Sequence, residues 1–111
     1  MSSIRKRRDF LALRDGKRAS SPGFLMVSRK NPENGEAARF GLTVTKKLGG
    51  AVTRNRIRRR LRAAAKAVFP NYARPGDDYV LIARAAAYDR NYAALLDDMK
   101  RALLRLSRAP K

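Results

Sequence analysis

The excess of basic over acidic side chains is the feature that most limits what this chain can fold into. Its 111 residues include 27 lysines and arginines against 9 aspartates and glutamates, a formal charge of +18. A compact fold with so much charge of one sign repels itself, so we expect a polyanionic partner, and nucleic acid fits best. At this length we expect one domain, residues 1–111, around one modest core.

Two missing residue types narrow the function classes. The chain contains no cysteine, which excludes disulfides, thiolate nucleophiles and cysteine-bound zinc. It also contains no histidine, the side chain best suited to proton transfer near neutral pH, so an accessory role is favoured over a self-sufficient nuclease. The longest apolar runs fall far short of the ~20 residues that span a bilayer, and no signal peptide is visible. We therefore expect a cytoplasmic protein without a membrane partner.

The first half of the chain predicts a helix and two strands. Residues 7–16 suit a short helix that ends at Gly16. After a loop around residues 20–23, strands are predicted over residues 24–28 and 39–45. Turn-forming residues at 31–36 indicate that these two strands form an antiparallel hairpin. Its core-facing side chains would be Phe40, Leu42 and Val44.

The second half predicts a helix, a strand and a helix. The first helix covers residues 53–69, with Thr53 as its N-cap and Pro70 closing it. A buried strand follows at residues 79–83, and an amphipathic helix runs from about residue 91 to 106. The order α-β-β-α-β-α predicts an α+β fold, a two-layer sandwich of a small mixed sheet and helices, with a strand–helix–strand crossover.

The helix predicted over residues 53–69 has one apolar side and one basic side. Its apolar side consists of Ile57, Leu61, Ala64 and Val68. The opposite side is polar and basic, with Asn55, Arg58, Arg59, Arg62 and Lys66. Such a face is often only a solvated surface, so charge alone does not establish a binding site.

Two further observations favour an external partner for this helix. Arg54 and Arg56 fall in the first turn, where the helix dipole disfavours cations by roughly 0.3–1 kcal/mol each. No acidic residue occurs between Arg39 and Asp77, so these arginines lack neighbours for i,i+4 pairs. A helix N-terminus after Gly49 and Gly50, surrounded by arginine, suits an RNA phosphate backbone. Asn55 suits either a local hydrogen bond or an RNA contact.

Residues 40–62, with Arg54-Asn55-Arg56 at their centre, resemble the signature of the bacterial ribonuclease P protein family. Most of the remaining chain is compatible with that resemblance. It implies a left-handed form of the crossover, although right-handed crossovers predominate in general. It further implies that the RNA subunit hydrolyses the phosphodiester with bound Mg²⁺, and that the protein contributes no catalytic residue. The protein would bind that RNA and the 5′ leader of precursor tRNA.

The resemblance also implies two binding sites. The RNA subunit would be contacted by Lys46, Lys47, Arg54, Asn55, Arg56, Arg58, Arg59 and Arg62. A cleft between the first helix and the sheet would hold the leader through Phe10, Arg14, Lys17 and Phe24. Core packing is the alternative for the two phenylalanines. Family members often have a second aromatic residue where this chain has Leu13 and Arg14, so electrostatics from Arg14, Lys17 and Arg18 would support leader binding instead.

Two other functions compete with this interpretation. A structural RNA-binding protein of the ribosomal type would share the size and charge, but it has no reason to carry the signature at residues 46–62. A self-sufficient metal-dependent nuclease would use acids such as Asp77, Asp78, Asp97 and Asp98. The sequence leaves a metal site in the protein open, and it predicts no obligate protein partner.

Overall fold

The computed structural model describes residues 2–3, 17–30, 35 and 38–108. Its strands are β1 (Ser2–Ser3), β2 (Lys17–Ser21), β3 (Phe24–Lys30), β4 (Arg39–Thr43) and β5 (Asp77–Ala83), and its helices are α1 (Ala51–Tyr72) and α2 (Tyr92–Arg108). Short 3₁₀ turns at Lys46–Leu48 and Ala85–Tyr88 precede the two helices. The helix predicted over residues 7–16 lies outside the described residues. The predicted α+β class is confirmed.

Strand β5 lies at the centre of the sheet, whose order is β1–β4–β5–β3–β2. It pairs antiparallel with β3 and parallel with β4, so the predicted hairpin between the strands at residues 24–28 and 39–45 is wrong. The reason is the apolar character of β5, which is buried along nearly its whole length and needs a hydrogen-bonded partner on each edge. Turn residues at 31–36 indicate that the chain reverses direction. They do not show that β5 lies between β3 and β4 in the sheet.

The hairpin that does form joins β2 to β3 through Pro22 and Gly23, with Ser21 opposite Phe24. Sequence analysis missed β2, because Ala19 is its only apolar residue and a single apolar side chain produces no alternation. At the edge of the sheet, backbone pairing with β3 is enough to define the strand.

Helix α1 connects the parallel strands β4 and β5, which confirms the predicted strand–helix–strand crossover. The left-handed sense of this crossover stays a prediction. The helix is longer at both ends than predicted. Its N-cap is Gly50 rather than Thr53, because the Arg54 N–H donates to Gly50 O at 3.0 Å. Pro70 does not end the helix, because the buried Phe69 anchors the last turn and accepts a hydrogen bond from the Ala73 N–H.

Both helices contribute to one core on one face of the sheet. Phe69 of α1 packs edge-on against Phe40 and Tyr79, with ring centroids 5.3 and 5.2 Å apart. Side chains alternate along a strand, so the other face of the sheet carries a separate cluster of Leu25, Val27, Val80 and Ile82. In the described ranges, no helix is long and apolar enough to cross a membrane.

Candidate nucleic-acid interface

The basic segment begins where the chain leaves β4. After the 3₁₀ turn that contains Lys46 and Lys47, Gly49 adopts a φ of 134°, a conformation open to glycine but strained for other residues. Gly50 then caps α1, whose first turn contains no acidic residue. The first N–H groups of α1 have no acceptor within the helix. We use "basic ridge" for Lys46, Lys47, Arg54, Asn55, Arg56, Arg58, Arg59 and Arg62.

The predicted two-sidedness of α1 is confirmed. Ile57, Leu61, Ala64 and Val68 are buried in the core. On the outer side, Asn55, Arg59, Arg62 and Lys66 are exposed, and Arg58 is half-buried. Val52, in the first turn of α1, is 84% exposed, which its apolar side chain did not predict.

No carboxylate neutralises the basic ridge within the part of the chain that the structure describes. The ion pairs recorded there join Arg39 to Asp78, Arg90 to Asp98 and Arg101 to Asp97, and none involves a ridge residue. The nearest interactions of the ridge are local: Arg54 Nε donates to Gly49 O at 3.2 Å, and Arg58 Nη1 donates to Asn55 Oδ1 at 2.8 Å. Asn55 therefore has the local hydrogen bond that was one of its two predicted roles, while its side chain stays exposed.

Arg56 differs from the other ridge residues because it also binds a distant part of the chain. Its Nε donates to Tyr88 O at 2.9 Å, and its guanidinium lies 4.8 Å from the centroid of the Tyr88 ring. Sequence spacing cannot reveal this contact, because Tyr88 follows Arg56 by 32 residues. Arg56 thus belongs both to the basic ridge and to the packing of the second 3₁₀ turn.

Arg60 shows that not every arginine of α1 serves the outer surface. Its Nε donates to Ala87 O at 2.9 Å and its Nη2 donates to Arg90 O. The partly buried guanidinium therefore fastens α1 to the segment between β5 and α2. Because it satisfies backbone carbonyls, Arg60 has a structural role, and it was not among the predicted RNA contacts.

The residues predicted for the leader cleft are not brought together by the described structure. Phe10 and Arg14 lie outside the described residues. Phe24 has 0% exposure and packs in the helix-side core, so it offers no surface to a stacking base and its predicted stacking role is wrong. Lys17 lies opposite Ser28 and lines a pocket of about 200 Å³ with Arg74 and Asp77.

The sheet face opposite α1 and α2 has a different character. Around its apolar cluster, strand alternation places Arg18, Arg29 and Arg39, with the carboxylate of Asp78 among them. Arg84 reaches the same face, where its Nη1 donates to Ser20 Oγ at 2.7 Å. Among the described residues, this face therefore combines an apolar floor with several guanidinium groups. Of these residues, Arg18 was predicted from the sequence to support leader binding, whereas Arg29 and Arg84 were not.

The acids proposed for a self-sufficient nuclease are dispersed. Asp78, Asp97 and Asp98 each pair with an arginine, and Asp77 is buried in the sheet. Burial raises the pKa of Asp77, against the opposing attraction of Arg74, Lys30 and Lys17. Over the residues that the structure describes, no group of three acids could hold a metal ion. The geometry thus provides no support for that alternative.

Comparisons with known proteins agree on one family. A family model described as Ribonuclease P matches residues 1–107. The ribonuclease P protein component of Caulobacter vibrioides (strain NA1000 / CB15N) is 46% identical over 104 residues, covering 94% of this chain and 70% of that protein. That of Ruegeria pomeroyi is 47% identical over 114 residues, covering 100% and 90%. The solved Staphylococcus aureus RNase P protein matches with a TM-score of 0.78 at 28% identity, covering 97% and 96% of the two chains. The RNase P protein from Thermotoga maritima matches with a TM-score of 0.77 at 26% identity over the whole of both chains.

Proposed function

The chain belongs to the ribonuclease P protein family, and from this premise we propose that it is the protein subunit that binds ribonuclease P RNA and assists removal of the 5′ leader from precursor tRNA. The observation that carries the proposal is the basic ridge. Its cations lie around a helix N-terminus, and no carboxylate of the described residues neutralises them. Guanidinium groups bind phosphate through two hydrogen bonds, and the helix dipole adds positive potential.

The proposal divides the work between RNA and protein. Mg²⁺ bound by the RNA subunit would stabilise the charge that develops as the phosphodiester is hydrolysed. The protein would dock onto the RNA through the basic ridge and neutralise phosphate repulsion between RNA and substrate. This division accords with a chain that lacks histidine and in which Asp78, Asp97 and Asp98 are paired with arginine. The assembly would act in the cytoplasm.

We place the leader on the sheet face that carries Leu25, Val27, Arg29 and Arg84. A single strand needs a floor for its bases and cations for its phosphates, and this face offers both. No aromatic side chain of the described residues lies on it, so binding there would rest on electrostatics, with Phe10 and Arg14 remaining as predicted contributors. Lys17 lies on the opposite side of the sheet, in the pocket with Arg74 and Asp77, so its predicted leader contact does not fit this placement. Substituting Phe24 should affect folding rather than leader contact.

Reconstitution tests the proposal directly. The purified protein is added to a bacterial ribonuclease P RNA, and cleavage of precursor tRNA is measured at a low Mg²⁺ concentration where the RNA alone is slow. We expect strong stimulation and a correctly processed 5′ end. Absence of stimulation would overturn the proposal, and cleavage by the protein without RNA would instead support a self-sufficient nuclease.

A matched pair of variants assigns the effect to the basic ridge. Arg59 and Arg62 are exposed on α1, so the double variant Arg59→Ala/Arg62→Ala should bind the RNA more weakly without a lower melting temperature. Arg105 is equally exposed on α2 but lies outside the ridge, so Arg105→Ala should bind normally. With about six phosphate contacts, wild-type affinity should fall on the order of 10³-fold between about 50 and 200 mM salt. A flat salt response would contradict an electrostatic interface.

A further inference from the structure

Two aromatic side chains of the described residues stand out by their exposure. Tyr88 and Tyr92 are 41% and 40% exposed, whereas Phe24, Phe69 and Tyr79 are almost completely buried. Exposed tyrosines at the end of a loop contribute little to the core. Of the two, Tyr88 contacts the basic ridge, through the Arg56 guanidinium 4.8 Å from its ring centroid.

The backbone around Tyr88 is held at several points. Arg56 Nε binds the Tyr88 carbonyl at 2.9 Å, and Arg60 binds the carbonyls of Ala87 and Arg90. The adjacent Ala87 is fully buried, and the Arg90 N–H closes the turn onto Ala86 O at 3.0 Å. The backbone that carries the ring is thus held in place, and the ring itself lies against Arg56, so binding a ligand there costs little further conformational entropy of the protein.

From this arrangement we infer that Tyr88 is a stacking platform for an unpaired RNA base beside the basic ridge. The inference deepens the proposed function, on which it rests, by naming a base contact within an interface otherwise built for phosphates. An aromatic ring accepts any base, because every base presents a π-face. Tyr88 would therefore recognise an unpaired nucleotide by shape and not by sequence.

The position of Arg56 supports an RNA base over other occupants. Within the described structure, the hydrogen bonding of Arg56 uses Nε alone, which leaves Nη1 and Nη2 for a phosphate. A phosphate bound there brings its own nucleotide next to the Tyr88 ring. Arginine and an aromatic ring together are a common environment for a splayed-out base.

A tryptophan reporter tests the contact directly. The protein contains no tryptophan, so Tyr88→Trp introduces a single fluorophore whose emission stacking on a base should quench. Leu104→Trp is the control, since Leu104 is similarly exposed at 43% but lies toward the far end of α2. We expect quenching at position 88 and none at position 104. Equal emission of free and RNA-bound Tyr88→Trp would overturn the inference.

Titrations with different RNAs show which RNA supplies the base that stacks on Tyr88. Ribonuclease P RNA alone, precursor tRNA alone, and the two together are titrated into Tyr88→Trp. We expect ribonuclease P RNA alone to quench, because Tyr88 contacts the ridge that docks onto this subunit. Quenching that requires precursor tRNA would assign the platform to the substrate, and it would overturn the placement on the RNA subunit.

Affinity measurements separate stacking from mere support of Arg56. Tyr88→Leu should bind ribonuclease P RNA about 5- to 100-fold more weakly, whereas Tyr88→Phe should bind like the wild type. If stacking is lost, the slope of log affinity against log salt stays unchanged. If Tyr88 only positions Arg56, one phosphate contact is lost and the slope falls by about 0.7–0.9, which would overturn the inference.

Tyr92→Leu is the matched control, because Tyr92 is equally exposed without a recorded contact to the ridge. It should retain wild-type affinity, and equal losses at Tyr88 and Tyr92 would contradict a specific platform. Tyr88→Leu should need a higher protein concentration than the wild type for the same stimulation of cleavage, in proportion to its weaker binding. The inference can therefore fail while the proposed function stands, and failure of wild-type reconstitution would reject the function itself.

Discussion

The guanidinium of Arg39 and the carboxylate of Asp78 bind each other across the parallel strands β4 and β5. Arg39 Nε donates to Asp78 Oδ1 at 2.8 Å, and Nη2 donates to Oδ2 at 2.7 Å. The Asp78 side chain is only 5% exposed, so this bidentate contact lies largely out of water. The pair therefore fixes the register at the start of both strands.

Removing one member of this pair should destabilise the protein strongly. We expect Arg39→Ala to cost about 3 kcal/mol of unfolding free energy in urea, because it leaves a buried carboxylate without its bidentate partner. The double variant Arg39→Leu/Asp78→Leu should lose less than the two single leucine variants combined. Arg101→Ala removes an exposed ion pair instead and should cost about 0.5 kcal/mol or less. Strictly additive losses would contradict the coupling.

Arg59 and Arg60 are neighbours in α1 with opposite expected effects. Arg60→Ala leaves the carbonyls of Ala87 and Arg90 without their donor and should lower the unfolding free energy by about 1–3 kcal/mol. Arg59→Ala should change stability by less than about 0.5 kcal/mol while weakening RNA binding. Urea unfolding and RNA titration of the same samples check both. A larger stability loss for Arg59→Ala than for Arg60→Ala would contradict these assignments.

Gly49 should be the most sensitive glycine at the start of the basic ridge. Its φ of 134° is strained for any other residue, and an added Cβ would approach the Thr53 side chain to 3.1 Å. We expect Gly49→Ala to lose about 1–3 kcal/mol of stability and to misdirect Lys46 and Lys47, which would also weaken RNA binding. Gly50→Ser is the control, because the space around Gly50 is open and serine is a better N-cap. Similar losses for both variants would refute a special role for Gly49.

Asp77 should make stability fall as the pH rises through the acidic range. Burial raises its pKa above the ordinary value of 3.8, so the folded state binds this proton more tightly than the unfolded state. The contribution of Asp77 to stability is therefore highest below pH 3.8 and declines as the pH passes through the folded-state pKa. Relative to wild type, Asp77→Asn should gain stability between about pH 3 and 6 in urea unfolding. The opposite trend would mean that Arg74, Lys30 and Lys17 outweigh burial.

The sequence predicted the elements with strong local patterns and missed relationships that depend on distant segments. Alternation and helical spacing located β3, β4, β5 and both described helices, and the apolar side of α1 is as predicted. Strand order depends on which edges pair, so turn signals between β3 and β4 led to the wrong hairpin. Phe24 shows the same limit, because an isolated aromatic does not reveal which face of a sheet it occupies.

The candidate site was likewise predicted only in part from the sequence. Charge and helix-dipole energetics pointed to the arginine-rich side of α1, and the family resemblance supplied the full set of residues in the basic ridge. Helical spacing placed Arg59 on the basic side and left Arg60 off it, but it could not show what Arg60 binds, because the carbonyl groups of Ala87 and Arg90 lie about 30 residues later. Tyr88 was missed for the same reason, since its only signal is its contact with Arg56 in three dimensions.

The central place of β5 has a consequence for synthesis on the ribosome. Both inner pairings of the sheet require residues 77–83, which are translated after β3, β4 and the whole of α1. The nascent chain must therefore expose an arginine-rich helix before the sheet that buries its apolar side can close. Until β5 is translated, the basic side of α1 is present in the nascent chain without the folded sheet that supports it.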